Sequence, residues 1–294
     1  MNSRLLTSLV ILFCVFFSTA IESYASDNMV ALPVMNDESS LNVWYHLPSK
    51  THSQSPIVFV MHGVLRNADE YRDNWISLAE QYNLVVVVPE FDNERFPGAR
   101  SYNLGNLLDE EGNAVAEKDW SFSLVGRIFE QFKAEMGLET ERFYIFGHSA
   151  GSQFVHRLLM FKPQLPVEMA FAANAGWYTL PIKDQLFPYG LKDSGSDNVN
   201  LRGFFAQPMV VLLGDKDNDP KDEHLRTTDE ANLQGPHRFA RGNYYFQLAK
   251  NKAQALEMDF NWTLVVAPGI AHENAKMAPF AAKLIDQHRK DKQD

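Results

Sequence analysis

Ser149 stands between two glycines in the run Gly147-His148-Ser149-Ala150-Gly151, with an apolar stretch before it (residues 143–146) and a helical pattern after it (residues 152–161). A serine hydroxyl is a weak nucleophile until a neighbouring base takes its proton. Setting it on a G-x-S-x-G turn between a strand and a helix is one way to present it. The turn is so sharp that side chains at 147 and 151 would collide with the adjoining strand and helix, hence glycine at both. It also aims the N-terminus of the following helix at the reacting centre, where the Ala150 N–H can hold a developing oxyanion. The chemistry on offer is acyl transfer.

The base and the acid that orients it must come from elsewhere. Of the nine histidines, His272 in "VVAPGIAHENAKM" follows an apolar run on a loop of small residues. From there an imidazole can swing over Ser149, and its ordinary pKa of about 6.5 suits proton transfer near neutrality. His148, beside the nucleophile, is expected to pack against the turn or line the substrate pocket, and His156 to face the surface or an interface. "VVLLGDKDNDP" offers three carboxylates after another apolar run, Asp215, Asp217 and Asp219. Their alternation also suggests a calcium loop, but such a loop needs glycine at its sixth position and glutamate at its twelfth. Pro220 and Arg226 stand there instead. No metal and no cofactor is expected.

These residues need a scaffold that brings them to one edge. "NVWYHLP" and "PIVFVMHG" read as strands, and residues 68–83 as a helix with Tyr71, Trp75, Leu78 and Ala79 on one face. "LVVVVPEF" is a continuous β-branched run of the kind covered on both sides. A polar segment, residues 92–117, has no periodicity. A helix over residues 120–137 turns Phe122, Val125, Phe129, Phe132 and Met136 inward and stops at Gly137. "RFYIF" leads into the Ser149 turn, and the helix after it ends at Pro163. "MAFAANAG", "PMVVLLG" and "NWTLVVAPG" read as three more buried strands, with a helix between the last two and another closing the chain. Strands alternating with helices predict an α/β fold, a mostly parallel sheet with helices on both faces. Its ligand site lies beyond the carboxyl ends of the strands, and every candidate above follows a strand.

The chain order serine, acid, histidine resembles the α/β-hydrolase superfamily, and the resemblance runs from about Asn42 to the last helix. It implies an acid three residues after the glycine that ends its strand, which from Gly214 is Asp217. It also implies that a His-Gly-x loop supplies the second oxyanion donor. In "FVMHGVLRNADEY" that donor is the Val64 backbone N–H, with Leu65 next. His62 then holds the loop by hydrogen bonds, Arg66 is placed to meet substrate, and Asn67 to cap the helix. "MHGVLRNADEYRDNW", "GHSAG" and "GPHRFARGNYYF" are similar to bacterial secreted esterases of the polyhydroxybutyrate-depolymerase and feruloyl-esterase kind. Tyr178 lies in the aromatic segment Trp177 to Gln207, which is long for a connection and is expected to shape the substrate site as a small cap over the pocket.

Composition narrows the partners. The 294 residues carry a net charge of −10 with no Lys/Arg cluster, which speaks against nucleic acid. A basic "MNSR", a run of 17 apolar and small residues and Ser23/Ala25 at a cleavage site read as an export signal over residues 1–25, followed by a single domain over 26–294. Cys14, the sole cysteine, lies inside that signal, so the mature chain has neither thiol nor disulfide, in keeping with an oxidising compartment. The expectation is an exported hydrolase, periplasmic or extracellular, with no stable membrane anchor after cleavage. Its substrate is a small or oligomeric ester. The same triad serves a peptidase or amidase, and a binding module could keep the fold without the chemistry.

Overall fold

A computed structural model describes residues 28–35, 39–196 and 199–292. The export signal lies outside the described residues. The chain builds one eight-stranded sheet from β1 (Met29–Leu32), β2 (Leu41–His46), β3 (Ile57–Met61), β4 (Val85–Pro89), β5 (Phe143–His148), β6 (Val167–Ala173), β7 (Met209–Gly214) and β8 (Trp262–Ala267). The strand order is β1-β2-β4-β3-β5-β6-β7-β8. β1 and β2 pair antiparallel, as do β2 and β4, and every other pair is parallel. The order reverses around β3, so the crevice above β3, β5 and β6 is where such a sheet opens to a ligand. This is the α/β-hydrolase fold.

The helices are α1 (Ala68–Tyr82), α2 (Ser121–Met136), α3 (Ala150–Phe161), α4 (Leu201–Ala206), α5 (Asp229–Leu233), α6 (Arg238–Ala255) and α7 (Asn274–Asp291). Strand alternation sorts them onto two faces. Ile57, Phe59 and Met61 of β3 join the aromatic core built with α2, α3 and α6, while Val58 and Val60 meet α1 and α7 on the other side. Trp75 of α1 is fully buried there, its ring centroid 5.3 Å from that of Phe146.

Three expectations need correction. β8 is the sheet's edge rather than a buried strand, and Val266 is 42% exposed. The aromatics of segment 177–207 do not form a cap: Tyr178, Leu180, Phe204 and Phe205 are core residues, Tyr178 stacked on Tyr245 and the two phenylalanines packed by α4 against α3, α6 and Trp262. Asn67 occupies the N-cap position of α1 but makes no capping bond. Its amide turns to Glu70 instead.

Candidate active site

Ser149 joins β5 to α3 with φ 58° and ψ −117°, a conformation that a non-glycine residue keeps only where its surroundings over-determine it. Here they do. The Ser149 N–H donates to Ala173 O at 3.0 Å, and its carbonyl accepts from Gln153 N at 3.1 Å. A Cβ on Gly147 would stand 2.2 Å from Gly151 O, and one on Gly151 would stand 1.9 Å from Met61 O. The two glycines therefore let the ends of β3 and β5 and the start of α3 touch backbone to backbone.

The loop after β7 separates its three aspartates by task. Asp215 Oδ1 accepts from Gly269 N at 2.7 Å, and Asp219 Oδ1 accepts from Lys221 N at 2.8 Å, so both hold loops. Asp217 is buried, and its Oδ2 lies 2.6 Å from His272 Nδ1. With the carboxylate accepting there, Nδ1 carries the proton and Nε2 is left basic. The second oxygen of Asp217 lies 3.4 Å from Arg238 Nη1, whose Nη2 reaches Asp222 at 2.8 Å. That hydrogen bond is the main reason the Asp222 carboxyl is held down to about 2. No hydrogen bond joins Ser149 Oγ to His272 among the described residues; contacts of this kind are commonly long before substrate binds.

Asn174, just past β6 with φ 51°, ties the loop after β7 to the loop after β8. Its Oδ1 accepts from Gly214 N at 2.8 Å and its Nδ2 donates to Ala271 O at 3.2 Å. His148 packs against His272. Its ring centroid is 4.5 Å from that of His272, and its Nδ1 is 3.4 Å from Tyr71 Oη. Burial first, and the neighbouring His272 second, push the His148 pKa well below its ordinary value. It is only 3% exposed and does not line the substrate cavity, contrary to one expectation.

The loop after β3 is held at many points. His62 Nε2 accepts from Phe91 N at 3.1 Å, so Nδ1 carries the proton and donates to Gly63 O at 3.2 Å. Tyr102 stacks on that imidazole and donates to His62 O at 2.8 Å. Arg66, with φ 62°, donates to the carbonyls of Phe91, Phe96 and Gly98. Burial lowers the His62 pKa to about 3, so the ring stays neutral. Neither the Val64 nor the Ala150 N–H has a partner among the described residues, and both residues line one cavity with Ser149. Two unbonded N–H groups beside a serine are what a developing oxyanion requires.

That cavity holds about 350 Å³. Its walls come from the loops after β3, β4, β6 and β7 and from the start of α3, and they include Trp177, from the segment expected over the pocket, and Asn103, Gln153 and Arg226, which the sequence did not mark as lining it. Arg66 lines it as expected. Leu65 is 76% exposed and lies off its wall. Tyr178 is not on the wall either, being stacked in the core on Tyr245 at 4.3 Å. His156 is fully buried, not at the surface, because Ser152 O and Thr179 N satisfy both its ring nitrogens. Among the described residues no cluster of His, Cys, Asp or Glu is arranged to hold a metal ion.

No protein-family model and no curated protein matches the chain. Among solved structures, poly(aspartic acid) hydrolase-1 from Sphingomonas sp. KT-1 is 41% identical over 84% of this chain and 93% of its own, with a TM-score of 0.81. The poly(3-hydroxybutyrate) depolymerase LpqC from Bordetella parapertussis is 38% identical over 83% of each chain, with a TM-score of 0.79. An S-formylglutathione hydrolase from Agrobacterium tumefaciens, 17% identical over 90% of this chain and 95% of its own with a TM-score of 0.51, shares the fold.

Proposed function

The chain belongs to the α/β-hydrolase superfamily of serine hydrolases, and we propose that it cleaves carboxylic esters through an acyl-enzyme formed on Ser149. The observation that carries the assignment of roles is the 2.6 Å contact between Asp217 and His272, on the loops after β7 and β8, with the His272 ring against His148, the neighbour of the strained serine. His272 Nε2 takes the proton from Ser149 Oγ as the oxygen attacks the ester carbonyl. Asp217 holds the tautomer and stabilises the imidazolium. The Val64 and Ala150 N–H groups receive the carbonyl oxygen as it becomes an anion. His272 returns its proton to the leaving alkoxide, and water then attacks the acyl-enzyme by the same sequence of steps.

A 4-nitrophenyl ester series of rising acyl length, run on the mature protein with Ser149→Ala as blank, tests this. Equal rates in enzyme and blank would dismiss it. A second reading, amide hydrolysis by the same residues, is favoured by the likeness to a hydrolase of a polymer of aspartic acid. Matched ester and amide substrates separate the two. Residues 1–25 are proposed to direct export to the periplasm or medium; a mature N-terminus at Ser26, read by mass spectrometry, checks this.

A further inference from the structure

The wall opposite the oxyanion donors carries charge that the fold does not use. Arg226 is exposed on the loop after β7 and lines the Ser149 cavity. It makes no hydrogen bond or ion pair among the described residues. Its guanidinium lies 4.8 Å from the Trp177 ring centroid and 5.6 Å from that of Tyr189, so two aromatic rings hold the cation in place without neutralising it. Behind them, buried Arg157 stands 4.3 Å from the same Trp177 ring, with no carboxylate partner among the described residues. Arg238 also lines the cavity, but its charge is paired with Asp217 and Asp222. Glu223 is the one carboxylate on the wall; it is open to solvent and 3.4 Å from His224.

A second group points the same way. Gln153 is 8% exposed and sits one turn along α3 from Ser149. Asn103 Nδ2 donates to its Oε1 at 2.7 Å, and Arg157 Nη1 approaches the same oxygen at 3.4 Å. Two donors on one oxygen fix the amide orientation. The Nε2 is then left without a partner, beside Gly176 on the cavity wall. A cation and a free N–H donor in one recess next to the nucleophile form a receptor for an anion, the planar two-oxygen carboxylate above all.

We infer that this recess binds a carboxylate carried by the substrate, with Arg226 and Gln153 Nε2 as its ligands, so that the enzyme selects acyl chains bearing a negative charge. The inference rests on the hydrolase reading for its consequence but not for its binding site. Such a charge on a chain of net −10 would otherwise be repelled. A local cation held on aromatic rings reverses that at the point of entry.

The test compares 4-nitrophenyl adipate, ionised at its far end, with 4-nitrophenyl hexanoate of the same chain length. The expected result is a ratio of kcat/KM that favours the adipate ester by about tenfold and collapses in Arg226→Gln, through KM. Arg226→Lys restores part of it, since a point charge replaces a fork. Raising the salt to about 0.5 M erodes the wild-type ratio, because the guanidinium is exposed. An unchanged ratio in Arg226→Gln, or a wild-type preference for hexanoate, would overturn the inference. Calorimetric titration of free adipate into Ser149→Ala reads the recess without turnover. If neither ester is hydrolysed yet adipate binds and Arg226→Gln abolishes binding, the recess stands and the catalytic reading fails. If adipate does not bind, the recess falls.

Discussion

The loops after β3 and after β7 both reach the site, but they are built in opposite ways. The first is saturated with bonds: His62, Tyr102 and Arg66 tie it together through the backbone at His62, Gly63, Phe91, Phe96 and Gly98, and the Val64 and Leu65 side chains stand exposed on it. The second is anchored at its root, where Asp215 and Asp217 are bonded, while at its tip the Glu223 and Arg226 side chains are exposed and the backbone is tied locally, from His224 N and Leu225 N to Asp222. A group that must meet a developing charge gains from having nowhere else to go. A group that must meet varied substrates gains from having few ties.

Breaking the root of the second loop should have the largest effect. Asp217→Asn is expected to lower kcat by about 10⁴ through the wrong imidazole tautomer, whereas Asp219→Ala, which loses a bond from Lys221 N alone, should leave steady-state rates close to wild type. Equal effects would erase the distinction between root and tip. Asn174→Ala unties the acid's loop from the base's and should lower kcat by about 10²-fold, the penalty for misplacing a catalytic group by about an ångström. On the saturated side, Tyr102→Phe removes one of several anchors. It should lower kcat roughly tenfold at nearly constant KM, and denaturant unfolding should show a loss of about 1–2 kcal/mol. A change in KM alone would mean that the tyrosine serves substrate, not the loop.

Acid should act chiefly on the saturated regions. Burial holds the imidazoles of His62, His148 and His156 below the ordinary 6.5, His62 at about 3. The unfolded chain takes up protons on them below 6.5 while the folded chain cannot, so unfolding binds protons and stability falls with pH from about 6.5 toward 3. The expected slope is up to about 1.4 kcal/mol per pH unit for each ring. Urea midpoints at pH 7 and 5.5 measure it, and identical midpoints would show that the rings protonate in place. The smallest effect belongs to the sheet edge: Val266→Thr should shift stability by less than about 0.5 kcal/mol.

What could be read from the sequence follows the same division. The strands on either side of Ser149 were legible because continuous β-branched and aromatic runs have few other homes, and the serine turn because its glycines are sterically obligatory. β1 was missed, being four residues long and only half buried. β8 was misjudged because an apolar run does not say how many neighbours its strand will have. His156 and Tyr178 were misplaced since side-chain chemistry is silent on burial: both ring nitrogens of His156 find partners inside, one of them a residue 23 positions away. Asn103, Asn174 and Arg226 gave little warning, because their significance lies in which loops meet above the sheet. Asn174 alone left a local sign, an asparagine where a strand turns left-handed.

The peptide contacts around Gly147 and Gly151 fix the distance between the Val64 and Ala150 amides. No side chain lies between the end of β3 and the start of α3, so no ordinary substitution can widen or narrow that gap by degrees. Evolution of this chain can therefore retune what enters the recess residue by residue, while the spacing of those two amides is inherited whole.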